Sequence, residues 1–300
     1  MEFLVTLVAA TFRNATPLVY ATVGELYCER AGILNLGIEG TMYAGAFFGF
    51  AAAYGSGSLL VGLGVAVVVG IAAGLLMGLL SVTLGTNQHV AGIGITLLLI
   101  GVSEFSNRMF FGRRETLPRI DPFSLLQPLG GGVFAQYGLT YVAFLAVVPL
   151  AWWLLMRTDF GLRVRAVGEN PEAADVAGID VFRTRYLALM LGGALMAVGG
   201  AFFTLAALGS FTLDIIAGRG WVAIALVIFG RWRIGRAVLG ALLFAGVFAL
   251  QLRLRILPGW GAVPFELLLA LPYLVTILAL ALAGRNVAYP GAYLRPYRRA

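Results

Sequence analysis

An all-α fold that crosses a lipid bilayer many times follows from three properties of this 300-residue chain. Hydrophobic residues make up 60% and charged residues only 12%, where a soluble domain needs about 25% charged residues to solvate its surface. Apolar runs near the roughly 20 residues that span a bilayer core recur along the whole length. The 40 glycines and 11 prolines also fit, because membrane helices carry both more often than soluble helices do.

On that scale, passes are predicted near 3–26, 38–55, 58–84, 90–111, 138–156, 186–208, 211–230, 236–252 and 265–284. They make an all-α polytopic membrane protein of eight or nine passes, in a single domain covering 1–300. The first pass holds Arg13 and Asn14 near its middle. Gly70, Gly74 and Gly78 recur every four residues on the third, so they share one face. Small residues let helices approach closely in lipid, and these glycines are assigned to packing. The fourth pass holds Glu104 and Asn107. Asp214, Gly218, Arg219 and Gly220 interrupt the seventh, which reads as a broken or re-entrant element. Irregular backbone at that depth survives only where protein or water covers it.

Three stretches are polar enough to be loops: 112–137, with Arg113 and Arg114; 157–185; and the tail 285–300. With 157–185 and the tail cytoplasmic, nine passes place the N-terminus outside. The inner side then carries 13 of the 21 basic residues, in the sense of the positive-inside bias, although the arginines of 113–119 run against it. Met1-Glu2 opens without a basic n-region, so no removable signal is expected.

All 21 basic residues are arginine. Without lysine there is no G-x-x-x-x-G-K-[ST] phosphate loop and no Schiff-base chemistry. One cysteine, Cys28, makes no internal disulfide, and one histidine, His89, builds no clustered zinc site. No metal site is expected. The net charge of +7 comes from arginines flanking apolar stretches, which argues against a nucleic-acid surface. No Ser/His/Asp set or pair of catalytic carboxylates is visible, so the chain does not read as an enzyme. A charge at membrane depth costs about 2.5–3.5 kcal/mol on insertion scales and usually faces a pathway or a partner. Asn14, Asn87, Glu104, Asn107, Thr212 and Asp214 are therefore the candidates for a substrate path. For Glu104, a structural ion pair with Arg13 is the alternative. His89 as a proton relay lacks titratable neighbours.

Inside 157–185 lies a short helix with both ends written out. Asn170 is a favoured N-cap and Pro171 sits where its missing N–H costs nothing. Glu172 suits the positive end of the helix dipole, and Gly178 supplies a left-handed stop. About seven residues are too few to be helical alone in water, so the helix must pack on its own chain or in a partner's groove. Ala173, Ala174 and Ala177 offer one compact face for such a groove.

Three runs carry a resemblance: Glu29-Arg-Ala-Gly-Ile-Leu-Asn-Leu-Gly-Ile-Glu-Gly40, Thr86-Asn-Gln-His-Val-Ala-Gly-Ile-Gly-Ile-Thr-Leu97, and Gly218-Arg-Gly-Trp-Val-Ala-Ile-Ala-Leu-Val-Ile-Phe-Gly-Arg-Trp232. They resemble the permease subunits of bacterial ABC importers for branched-chain amino acids, ribose-type sugars and nucleosides. The first two runs look most like the nucleoside, or simple-sugar, branch, and the resemblance extends over about 3–284. It implies a permease of the bacterial inner membrane that hydrolyses nothing itself. ATP and magnesium would sit on a separate ATPase subunit with two fused domains, and no cofactor on this chain. It further implies a second permease subunit sharing the path and an extracytoplasmic solute-binding protein delivering substrate. The ATPase-coupling helix would be Asn170, Pro171, Glu172, Ala173, Ala174, Asp175, Ala177 and Gly178. Ribose-type relatives have an additional N-terminal span that is not expected here, which would accord with an N-terminus outside. The competing class is a secondary transporter driven by an ion gradient, disfavoured because Glu104 is the main interior carboxylate for coupling.

Overall fold

The computed structural model describes residues 2–112, 118–128, 131–254, 265–283 and 288–298; Arg113 and Arg114 lie outside these. In chain order the helices are α1 (Glu2–Arg30), α2 (Ile38–Ser56), α3 (Leu59–Thr83), α4 (Gln88–Phe111), α5 (Gly138–Arg157), α6 (Asp159–Glu169), α7 (Pro171–Val176), α8 (Val181–Leu208), α9 (Arg219–Phe229), α10 (Ile234–Leu254) and α11 (Phe265–Ala283). One short antiparallel pair, β1 (Leu125–Leu126) with β2 (Gln136–Tyr137), interrupts the helical pattern.

Among the described residues, six helices are long and apolar enough to cross a membrane: α1, α3, α4, α5, α8 and α10. The eight or nine passes expected from sequence become six by this measure, and for α2 and α9 the reason is local. α2 carries Glu39, Gly40 and Thr41 in its first turn, and most of its residues are buried by the helices around it. It does not need the apolarity of a lipid-facing span. α9 has 11 residues and is about 16 Å long, half the thickness of a bilayer core. The segment before α9 is irregular, with positive φ at Gly209, Asp214, Ala217 and Gly218. The seventh expected pass is thus a broken one.

The bundle is built around α8, whose backbone touches three neighbours at glycines. A Cβ on Gly24 of α1 would strike the Gly192 carbonyl, and one on Gly45 of α2 the Ala197 carbonyl. On α3, Gly70 faces the Gly193 carbonyl, Gly74 the Leu189 carbonyl and Gly78 the Tyr186 ring. The four-residue spacing is therefore a packing stripe, as expected. Dispersion and close backbone approach supply the cohesion that water cannot supply in lipid. Gly74→Leu should cost at least the roughly 1–3 kcal/mol of overpacking, because the obstacle is a carbonyl and not a movable side chain. Its accumulation in membranes, compared with Gly64→Leu, where a Cβ meets nothing within 4 Å, checks this.

Contacts fix which segments share an end of the bundle. At one end the Arg30 guanidinium reaches Glu169 and the Trp232 carbonyl, and Arg185 donates to the Ala31 carbonyl. Thr83 bonds Tyr186, and Gln88 accepts from the Leu34 N–H. At the other end Gln136 donates to the Ala9 carbonyl, while Ile120 and Phe123 donate to the Gly209 and Leu205 carbonyls. The first end gathers Arg30, Arg157, Arg163, Arg165, Arg183, Arg185, Arg231, Arg233, Arg236, Arg295 and Arg298 beside α6 and α7.

Candidate functional site

The three sequence runs 29–40, 86–97 and 218–232 pack together. Leu34 donates to Gln88, and Thr96 donates to the Leu36 carbonyl. The Glu39 carboxylate accepts the Gly218 N–H at 2.8 Å and the Gly220 N–H at 2.7 Å, one on each oxygen. It thereby satisfies two of the four amides that open the first turn of α9 and sets a negative charge on the positive end of the helix dipole. Gly218 is at φ +79, and a Cβ on Gly220 would lie 2.6 Å from a Glu39 oxygen, so both positions need glycine. At the other end of α9, the Trp232 indole N–H donates to Glu29 at 2.6 Å. Glu29 and Glu25 are both fully buried, and Glu25 accepts the Asn35 N–H at 2.9 Å. The first run therefore clamps α9 at both ends. Behind the Trp232 clamp lie the Tyr289 and Tyr293 rings, with centroids 4.9 and 6.0 Å from the indole. Burial, and then the Glu29 and Glu25 carboxylates, push the Tyr293 hydroxyl well above the ordinary tyrosine range.

Beside the Glu39 end of α9 is a cavity of about 430 Å³, lined by Arg13, Asn14, Tyr137, Phe202, Phe203, Ala207, Leu208, Thr212, Ile215 and Arg219. Its α8 wall is a π-helical turn, Phe203–Leu208, where the helix loses its regular register. Arg219 stands between the rings of Phe203 and Phe248, at 5.0 and 5.3 Å, and donates to the Ile216 carbonyl at 3.0 Å. Arg13 lies over the Tyr137 ring and donates to the Ala135 carbonyl; its Nε is buried without a hydrogen-bond partner.

Of the sequence candidates, Asn14 and Thr212 line this cavity and Asp214 is exposed just beyond it. The others are elsewhere. Asn87 caps α4 near the arginine-rich end, accepting the His89 and Val90 N–H groups. Glu104 pairs with Arg108 one turn along α4, at 3.8 Å, and Asn107 is half-buried on the same helix. The expected Arg13–Glu104 pair does not form, because each side chain has a nearer partner on its own side of the bundle. The Tyr43 hydroxyl of α2 is buried without a hydrogen-bond partner, and its ring meets Phe211 edge-on at 5.3 Å. Glu29, Glu39, Trp232 and Arg219 were absent from the sequence candidates. The available signal was a carboxylate at each end of the run 29–40, inside otherwise apolar chain.

The loop 157–185 holds two helices, not one. Thr158 caps the unexpected α6, accepting the Gly161 N–H. α7 forms as expected: Asn170 accepts the Ala173 N–H at 3.0 Å, and Gly178 has φ +84. Its faces are not as expected. Ala174 is only 4% exposed, packed on Val167 and Val181 of the same chain, and so cannot belong to an outward alanine face. What α7 presents outward is Glu172, Ala173, Ala177 and, above all, Val176, which is 92% exposed.

The profile of the family described as branched-chain amino acid transport system / permease component matches residues 7–280. The chain belongs to this permease family. It is 37% identical to the putative glucose ABC transporter permease protein of Haloferax volcanii, over 100% of this chain and 99% of that one. It is 33% identical to the guanosine ABC transporter permease protein of Bacillus subtilis, over 93% and 92% of the two chains. The nucleoside ABC transporter permease protein of Lactococcus lactis subsp. cremoris is likewise 33% identical, over 94% and 93%. No solved structure matches the permease. It is thus a non-catalytic, multi-pass membrane subunit of a transport system.

Proposed function

We propose that this permease forms half of the translocation path of an ATP-driven importer for nucleosides or related simple sugars. The observation that carries the substrate reading is the cavity beside α9. Tyr137, Phe202 and Phe203 offer aromatic faces for a flat base or a sugar's apolar face, and Asn14, Thr212 and Arg13 offer hydrogen bonds to hydroxyl or carbonyl groups. The guanosine, nucleoside and glucose transport named for its relatives supports the same class. ATP and magnesium belong to a separate ATPase subunit with two fused domains. A second permease completes the path, and a solute-binding protein delivers substrate from outside. Besides the six long helices, α2, α11 and the broken 211–230 element cross as well, giving nine passes in one domain with the N-terminus outside. The end rich in arginine is then cytoplasmic, and α7 is the ATPase-coupling helix.

Reconstitution with the ATPase should give ATP-dependent uptake of guanosine or glucose. Uptake that follows a proton or sodium gradient with no ATPase present would instead establish a secondary transporter. The orientation has its own check. Cysteine placed at Val176 should react with a membrane-impermeant thiol reagent only from the cytoplasmic side, and labelling of intact cells from outside would invert the topology. The natural thiol, Cys28, is fully buried and should stay silent.

A further inference from the structure

We propose that the tail segment 288–298 is a transmission strap joining α7 to the Trp232 end of α9, with Tyr297 and Trp232 as its positioning residues. The inference rests on the permease reading above and adds an element that the reading does not require. The strap begins on Trp232, against which Tyr289 and Tyr293 pack. It then runs along the end of α6: the Gly291 N–H donates to Glu169 at 3.2 Å, and the Ala292 N–H donates to the Gly168 carbonyl at 2.8 Å. Leu294 donates to the Gly32 carbonyl in the turn after α1. The strap reaches α7 at Tyr297, whose hydroxyl donates to Asp175 Oδ2 at 2.8 Å while its ring packs 5.9 Å from Phe182.

Two features separate this segment from a loosely attached tail. Ala292 is only 2% exposed although no helix or strand holds it. Leu294 is held at φ +64, a conformation that a side-chain-bearing residue keeps only where surrounding contacts over-determine it. From Trp232 the route passes through a turn, held by the Trp232 N–H on the Val227 carbonyl, into α9. α9 runs from this clamp to Arg219, which lines the cavity. A displacement of α7 is thus passed by hydrogen bonds and ring contacts to the half-span that borders the proposed substrate site.

The test uses the complete transporter in proteoliposomes, with radiolabelled guanosine and glucose as probes and import per ATP hydrolysed as the readout. Tyr297→Phe keeps the ring and removes only the hydroxyl that meets Asp175. It should lower import per ATP about fivefold while the ATPase co-purifies as before. Trp232→Phe should do the same, and Tyr297→Phe combined with Asp175→Ala should be no worse than the stronger single variant. A tail that only adds stability would reduce the amount of assembled complex and leave the ratio unchanged. An unchanged ratio in both Tyr297→Phe and Trp232→Phe overturns the strap. Wild-type vesicles with no ATP-driven uptake of either probe overturn the importer reading itself, which keeps the two failures distinct.

Discussion

Replacing Glu39 with alanine should abolish uptake while leaving the permease in the membrane. The carboxylate is 8% exposed and holds two N–H groups that open α9, each on its own oxygen. Removing it strands the buried Gly220 donor, at about 1–3 kcal/mol, leaves the half-buried Gly218 donor without its partner, and removes the charge that faces the helix dipole. The cheapest escape is for the Gly218 end of α9 to move, which drags Arg219 out of the cavity wall. Glu39→Gln retains one acceptor oxygen and should keep part of the activity. Uptake at matched permease levels, with hydrogen exchange over 209–220, measures both effects. Wild-type uptake by Glu39→Ala would show that the clamp does not position the site.

Val176→Asp should uncouple the permease without unfolding it. At 92% exposed, Val176 supports nothing in its own chain, so the change should fall within the roughly 0.5 kcal/mol of ordinary surface substitutions. In a partner's groove the same carboxylate would have to shed its water, at a cost of several kcal/mol. ATPase co-purification and ATP-driven uptake should both collapse. Ala174→Trp is a different experiment: that side chain points into the packing of Val167 and Val181, and the variant should lose α7 itself. Normal ATPase association in Val176→Asp would leave α7 as a surface helix and nothing more.

What was legible in the sequence was what local geometry decides. The caps of α7 needed only Asn170, Pro171 and Gly178, because a cap is made within four residues. The α3 stripe was legible because a four-residue repeat keeps glycines on one face whatever they meet. The broken seventh pass was announced by Asp214, Gly218 and Arg219 within an apolar run. Long-range partnerships left no such trace. Glu39 meets amides 179 and 181 residues away, and Glu29 meets an indole 203 residues away. Nor can a six-residue helix declare which of its alanines turns inward, since Val167 and Val181 make that choice. Glu104 drew attention as a lone charge at depth, yet Arg108 on the next turn answers it.

The glycine contacts around α8 constrain how the transport cycle can proceed. Where a carbonyl oxygen already rests against the Cα of a neighbouring helix, neither helix can roll or slide by even a fraction of a turn without backbone striking backbone. α1, α2, α3 and α8 are riveted in this way through Gly24, Gly45, Gly70 and Gly74. They form a chassis that should travel as one piece, and the reshaping between inward-facing and outward-facing states then falls to what is bolted on less closely: the irregular 209–217 segment and the peripheral α5. A crosslink within the chassis should leave transport intact, whereas one across 209–217 should arrest it.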